Sequence, residues 1–190
     1  MLIRKANIYD TTDIARVHAE TWRSAYRRVL SDEYLSQFTL EKRKKYWMKY
    51  INDGKSVYVV EEKSGEIIAF VVPNVQRDEH RGYVGEISAI YVQDRFQRRG
   101  VGRKLVATCA RLMVNNDVKS MRVWVLKDNP ARQFYRLLGG TECDARIERL
   151  DNKDYLKLAY IWDDLPALIE FADIPLESGL GETFDELEDE

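Results

Sequence analysis

Ile87-Ser88-Ala89-Ile90-Tyr91-Val92, followed by Gln97-Arg98-Arg99-Gly100-Val101-Gly102, is the stretch on which the reading of this chain turns. The first six residues form an apolar, β-branched run of strand character. After the glycines, Val101, Leu105, Cys109, Leu112 and Met113 fall on one face at helical spacing. Two glycines let the backbone turn sharply and come close to a ligand. The helix they open points free N–H groups and a partial positive charge at that ligand. Arg98, Arg99, Arg103 and Lys104 add formal charge. The stretch therefore reads as a site for a phosphate-bearing group. Its glycine spacing is neither that of a P-loop nor that of a dinucleotide-binding turn, and no early βαβ unit contains it.

Working outward, residues 2–8 read as a strand, and Asp10 or Thr11 can cap the next helix. That helix carries Ile14, Val17, Trp22, Ala25, Tyr26 and Val29 as its apolar stripe, with His18 beside it. A short helix restarts at Ser31-Asp32-Glu33. Another, at about 40–51, sets Leu40, Trp47, Tyr50 and Ile51 against a basic face of Lys42, Arg43, Lys44, Lys45 and Lys49. The period then changes to two. Strands are predicted at 56–60 and 67–72, a polar loop at 74–81, and a long strand at 83–92. After the helix at 100–114 comes a strand at 121–126. A short helix follows, with Asn129 and Pro130 at its start, Gly139 at its exit, and Phe134, Leu137 and Leu138 as its apolar face. Two further strands, 141–149 and 154–161, meet at Asp151-Asn152. The order predicts one α/β (α+β) domain with a mixed, mostly antiparallel sheet and helices on both faces.

The 190 residues suffice for one core. Cys109 and Cys143 show neither a disulfide framework nor metal-ligand spacing, so two reduced thiols and no metal are expected. The first residues lack the apolar core of a signal peptide, and no apolar run is long enough for a bilayer. A cytoplasmic protein with no membrane partner is the expectation. The net charge of −2 conceals an asymmetry: residues from Ile161 onward carry eleven acids and no base. Residues 1–160 therefore hold all 30 bases against 21 acids, which suits an anionic ligand. Within 162–174, Trp162, Leu165, Leu168, Ile169 and Phe171 are too apolar for free disorder. That segment is expected to dock as a helix on its own body or on a second subunit, so a homodimer is compatible with it. Residues 178–190 are expected to be flexible. The division is thus a 1–161 domain and a 162–190 acidic extension.

Two motifs in order carry a resemblance. Gln97-Arg98-Arg99-Gly100-Val101-Gly102 matches Q/R-x-x-G-x-G/A in full. About 27 residues after Gly102 comes Asn129-Pro130-Ala131-Arg132-Gln133-Phe134-Tyr135-Arg136-Leu137-Leu138-Gly139. Over residues 2–160 the chain resembles the GNAT (Gcn5-related) N-acetyltransferase superfamily. The resemblance implies a three-layer α-β-α fold whose seven-stranded sheet splays between strands 4 and 5. It implies acetyl-CoA as cosubstrate. Backbone groups of Ile90, Tyr91 and Val92 would hold the pantetheine arm as an added strand. Gln97, Arg98, Arg99, Gly100, Val101, Gly102 and Arg103 would hold the pyrophosphate. Asn129 and Ala131 would lie along the arm, and Tyr135 near the sulfur.

Acetyl transfer to an amine needs a base for the acceptor, a donor for the oxyanion and a proton for the leaving thiolate. The resemblance gives the thiolate proton to Tyr135. The oxyanion falls to a backbone N–H of the 87–92 strand, with Ile90 favoured. Glu86 is the candidate base, with His18, Tyr26, His80 or a water chain as alternatives. Strict alternation would place Glu86, Ser88, Ile90 and Val92 on one face, a count that a bulge would shift. Trp22 and Tyr26, with Arg23, Arg27 and Arg28, are expected on the acceptor side, which suits a small-molecule or peptide amine. Gly140 stands where relatives have an aromatic. Two other readings remain in view. One is a silent acyl-CoA-binding module. The other is a nucleic-acid-associated protein using the Lys42–Lys49 face, disfavoured because no aromatic-interleaved basic sheet motif is present.

Overall fold

The computed structural model describes residues 1–80 and 82–172, so the expectations for 173–174 and 178–190 fall outside the described residues. Seven strands form one sheet in the order β1-β2-β3-β4-β5-β7-β6. They are β1 (Leu2–Lys5), β2 (Tyr58–Glu61), β3 (Ile67–Asp78), β4 (Gly82–Val92), β5 (Met121–Leu126), β6 (Thr141–Leu150) and β7 (Lys153–Trp162). Every neighbouring pair is antiparallel except β4 and β5. The helices are α1 (Thr11–Tyr26), α2 (Asp32–Ser36), α3 (Leu40–Asn52), α4 (Val101–Asn115), α5 (Ala131–Leu137) and α6 (Leu165–Ala172).

Helices cover both faces of the sheet. On one face Ile14 and Val17 of α1 and Trp47 of α3 pack against Val57, Val59, Phe70 and Val72. On the other, Leu105, Cys109, Leu112 and Met113 of α4 pack against Ile68, Val71, Ile87, Val123 and Tyr160, joined by Leu165 and Leu168 of α6. The stripe read from the sequence for α4 is buried throughout. Helix α6 begins only after Trp162, which is the last residue of β7. Asp164 Oδ1 caps it by accepting from Ala167 N at 2.9 Å.

Three departures from the sequence reading have physical causes. Of the loop expected at 74–81, residues 74–78 are instead the far end of β3, paired through Asp78 opposite Gly82. Apolar alternation stops at Pro73 because this extension is only partly covered, while backbone pairing continues. Leu137, expected on the buried face of α5, is 79% exposed, and Tyr135 takes the inward position at 5%. At β6–β7 the two turn residues, Asp151 and Asn152, both have positive φ. This is the geometry of a two-residue hairpin and tightens the turn by a residue at each strand end.

The fourth feature is a bulge in β4. Val72 lies opposite Ala89 but Pro73 lies opposite Ile87, so Ser88 is an extra residue without a partner. Pro73, with no N–H to give, sits where the ladder is broken. The bulge moves Ile87 onto the α4 face with Ile90 and Val92, while Ala89 and Tyr91 pack on the α1–α3 face. Strict alternation had grouped Glu86 with Ile90 and Val92. With Ile87 now on the α4 face, Glu86 faces the other way.

Gly140 also finds its explanation. Trp162 Nε1 donates to Leu138 O at 2.9 Å. A Cβ on Gly140 would lie 3.1 Å from the Trp162 ring and 2.9 Å from the carbonyl oxygen of Tyr135. The aromatic expected at 140 is supplied from β7, and glycine makes room for it. Gly140→Ala is expected to destabilise the fold by about 1–3 kcal/mol, the usual effect of overpacking against atoms that cannot yield. A lowered urea midpoint with an unchanged m-value would report it.

Candidate functional site

Strands β4 and β5 are paired only over Gly85–Ile87 and Met121–Val123. Beyond that point β5 stays with β7, through Leu126 opposite Lys157, and β4 stays with β3, through Val92 opposite Ala69. The β5-facing edge of β4 from Ser88 to Val92 therefore has no strand partner among the described residues. A cavity of about 1320 Å³ fills the gap. Its floor is Ile87–Val92 and Val123–Val125. One end is closed by Gly100, Gly102 and Arg103, one side by α5 with Asn129 and Tyr135, and the other by α1 with Tyr26 and Arg28.

The turn from β4 into α4 is tied down by its own side chains. Gln97 Nε2 donates to Val92 O and to Asp94 Oδ1, both at 3.0 Å. Ser24 of α1 donates to Asp94 Oδ2 at 2.6 Å. Arg98 at φ 59° and Gly100 at φ 80° bring the chain round in left-handed conformations. The first N–H groups of α4 then point away from the helix with no carbonyl to meet. Gly102 lies under Phe134, whose ring carbon would be 3.1 Å from an added Cβ, so α5 packs directly on the first turn of α4.

Of the residues singled out from the sequence, the structure brings Ile90, Tyr91, Val92, Gln97, Arg98, Gly100, Gly102, Arg103, Asn129, Ala131, Tyr135 and Tyr26 into this cleft. Four others lie elsewhere. Val101 is buried in the α4 core. Arg99 is exposed and stacks over Phe96 at 5.6 Å. Trp22 lies behind Tyr26, its ring 4.7 Å from Phe38 and 4.4 Å from Tyr26. Glu86 does not line the cleft. Its Oε2 accepts from Arg122 Nε at 3.2 Å, and Arg122 Nη1 donates to Asp78 Oδ2 at 2.9 Å.

Asn129 has two uses. Its Oδ1 accepts from Ala131 N at 2.8 Å, holding the start of α5. Its Nδ2 donates to Tyr26 Oη at 3.0 Å, joining α5 to α1 across the cleft. Sequence pattern could not pair two residues so far apart in the chain. Thr21 was also missed: it lines the cleft, is buried, and its Oγ1 has no hydrogen-bond partner among the described residues. A threonine at helical spacing gives no such signal.

The phenols are strongly desolvated. Burial pushes Tyr135 well up from its ordinary value, and nearby Tyr26 pushes it the same way. Burial likewise raises Tyr26, with the Asn129 hydrogen bond opposing it. Tyr91 is raised by burial and by Tyr26 and Tyr135, which places the three phenols in one neighbourhood. All three stay protonated at neutral pH. His18 sits among Trp47, Phe70 and Tyr91 and accepts from Trp47 Nε1 at 3.2 Å. Burial, with Arg43 as a second cause, lowers it to about 3. His80 is exposed and does not line the cleft. The Lys42–Lys49 face lies on α3, also outside the cleft, with Arg43 stacked on Phe38 at 4.7 Å and Lys49 paired with Asp53. Among the described residues no group of His, Cys, Asp and Glu is arranged to hold a metal, and no helix is long and apolar enough to cross a membrane.

Comparison with known proteins bears on this geometry. The family model described as "Acetyltransferase (GNAT) family" matches residues 16–139. The uncharacterized N-acetyltransferase YuaI of Bacillus subtilis is 34% identical over 166 residues, covering 87% of this chain and 95% of its own. In fold, the chain is similar to the PaiA N-acetyltransferase of Thermoplasma acidophilum in complex with coenzyme A. That likeness has a TM-score of 0.61 at 17% identity, covering 83% of this chain and 98% of that one. It is also similar to YncA of Salmonella typhimurium, solved with its cofactor acetyl-CoA. Here the TM-score is 0.63 at 17% identity, with 86% and 93% covered.

The buried histidine yields a measurable consequence. An unfolded imidazole protonates near 6.5, whereas the folded one resists until about 3. The unfolded state thus binds more protons throughout that window. Stability is retained above pH 6.5 and falls as pH drops below it, by up to about 1.4 kcal/mol per pH unit from this one group. Denaturant unfolding of His18→Gln between pH 7 and 4.5 is expected to lack this component of the slope.

Proposed function

The chain belongs to the GNAT family of acetyltransferases, and from that premise we propose that it transfers an acetyl group directly from acetyl-CoA to a primary amine of a small molecule or peptide. The supporting observation is the convergence, in one cleft, of an unpaired strand edge, an open helix N-terminus and a buried phenol. Acetyl-CoA supplies an activated acyl thioester, an electrophile with a thiolate leaving group.

The residues fit such a donor at each end. The unpaired edge of β4 at Ser88–Val92 offers amide N–H and C=O groups at strand spacing, which match the amides of a pantetheine arm. The amides from Arg98 to Arg103, with the helix charge of α4 behind them, fit a pyrophosphate. Arg98 and Arg103 add formal charge from within the cleft. Asn129 is held by both α1 and α5, so its position beside the arm is fixed in advance.

For the chemistry, Tyr135 is the proton donor to the departing sulfur. Desolvation keeps it protonated, so it carries the required proton at working pH without competing for the acceptor's. An N–H of the bulged strand, that of Ile90 in this assignment, stabilises the oxyanion. The parting of β4 from β5 after Ile87 supports this, because it leaves backbone groups of β4 facing the cleft in fixed positions. The acceptor enters on the α1 side, past Tyr26 and Arg28. Glu86 remains the assigned base. It acts through water, since its carboxylate is held by Arg122 outside the cleft lining. His18 is a poor base for this role: it is buried in an aromatic cluster that fixes it neutral.

Saturating acetyl-CoA is expected to raise the melting temperature, since a ligand at 100 times its Kd stabilises by about 2.7 kcal/mol. A shift no larger than that given by ADP would overturn the donor assignment. Tyr135→Phe is expected to lower kcat by about 10²–10⁴ in a thiol-release assay against an amine panel, with acetyl-CoA affinity preserved. Unchanged turnover would remove Tyr135 from the mechanism.

A further inference from the structure

Two large apolar side chains of the cleft stand out because they face water. Leu137 of α5 is 79% exposed and Phe171 of α6 is 57% exposed. Among the described residues Phe171 is the one cleft residue contributed from beyond β7, and it lies outside the stretch matched by the family model. Its position is set by the core. Leu165 and Leu168 of α6 are buried at 0% and 4% against the α4 layer. Phe171 follows at i+3 on the same stripe, carried past the core to the first turn of α4. There its ring centroid lies 5.6 Å from the Arg103 guanidinium carbon.

A second, independent observation is Arg103 itself. Its Nε is shielded from solvent and has no hydrogen-bond partner among the described residues. A guanidinium beside an exposed aromatic ring, at the helix terminus proposed to take a pyrophosphate, is half of a nucleotide site. It offers an anion contact next to a flat π face. What lies beyond the pyrophosphate of the donor is an adenine nucleotide, a flat ring carrying phosphate. The exposed part of the Phe171 ring can stack on such a ring, and the Arg103 guanidinium beside it supplies positive charge for the phosphates.

We infer that Phe171, together with Arg103, forms the seat of the adenine nucleotide of the donor, so that α6 is part of the cofactor site. The inference rests on the acetyl-CoA reading above. It adds that the segment after β7 decides how tightly the nucleotide end is held, while the acyl end is left to β4 and α5.

Isothermal titration of the full chain separates the two. Wild type is titrated with acetyl-CoA and with S-acetyl-4′-phosphopantetheine, which lacks the adenine nucleotide. Phe171→Ala, Phe171→Leu and Phe171→Trp are titrated alongside. Loss of a stacking partner is expected to weaken acetyl-CoA about tenfold or more in Phe171→Ala and Phe171→Leu. Affinity for S-acetyl-4′-phosphopantetheine should be unchanged, and Phe171→Trp should bind acetyl-CoA as wild type does. Because the ring is largely exposed, the melting temperatures without ligand should agree. If Phe171→Ala holds acetyl-CoA as tightly as wild type, loses both ligands equally, or differs from Phe171→Leu, the nucleotide seat is overturned while the donor assignment stands. If wild type binds neither ligand, the donor assignment falls as well.

Discussion

One extra residue in β4 governs the molecule. Ser88 has no partner on β3, and directly beyond it β4 and β5 separate. A sheet that opens in the middle leaves backbone amides without partners, a costly arrangement unless something else meets them. The fold surrounds the opening instead of closing it. Helix α1 covers one flank, α5 the other, and the first turn of α4 the end. Each of these elements is anchored elsewhere, by the two cores on either face of the sheet. The gap is therefore a stable feature of a well-packed body.

The chemistry of the cleft follows from that enclosure. Burial desolvates its phenols, so they hold their protons firmly. The hydrogen bond from Asn129 to Tyr26 spans the opening and fixes the distance between its walls. The same low polarity strengthens any fixed donor aimed at a developing charge. Positioning and electrostatics, more than any strong acid or base, are what this site can bring to a group transfer.

The segment from Trp162 to Ala172 is built into this arrangement rather than appended to it. Trp162, closing β7, reaches under Gly140 and bonds to Leu138 O, which steadies the exit of α5. Three residues later α6 begins, and its buried stripe lies along the same core as α4. An aromatic that the local sequence lacks at 140 is thus provided by a neighbouring strand. This is why the glycine there costs little, although it looks like a departure when read along the chain alone.

Much of the fold was legible in the sequence. The buried stripe of α4, the glycine turn before it, the hairpin at Asp151-Asn152 and the helix around Tyr135 are all local patterns of period, turn chemistry and capping. Such patterns survive folding because each is fixed by residues within a few positions of one another. The convergence of the two motifs on one cleft came from the resemblance to the GNAT superfamily and not from these local patterns, which leave strand order open. What tertiary structure alone decided are the facts that depend on register and on distant partners. The bulge at Ser88 reversed the facing of Glu86, and Arg122 from the next strand then claimed its carboxylate. Trp22 went to an aromatic cluster behind the cleft, while Leu137 and Phe171 came to its edge. A one-residue shift in a strand exchanges its two faces, and apolar character alone does not say whether a side chain meets the core or a ligand.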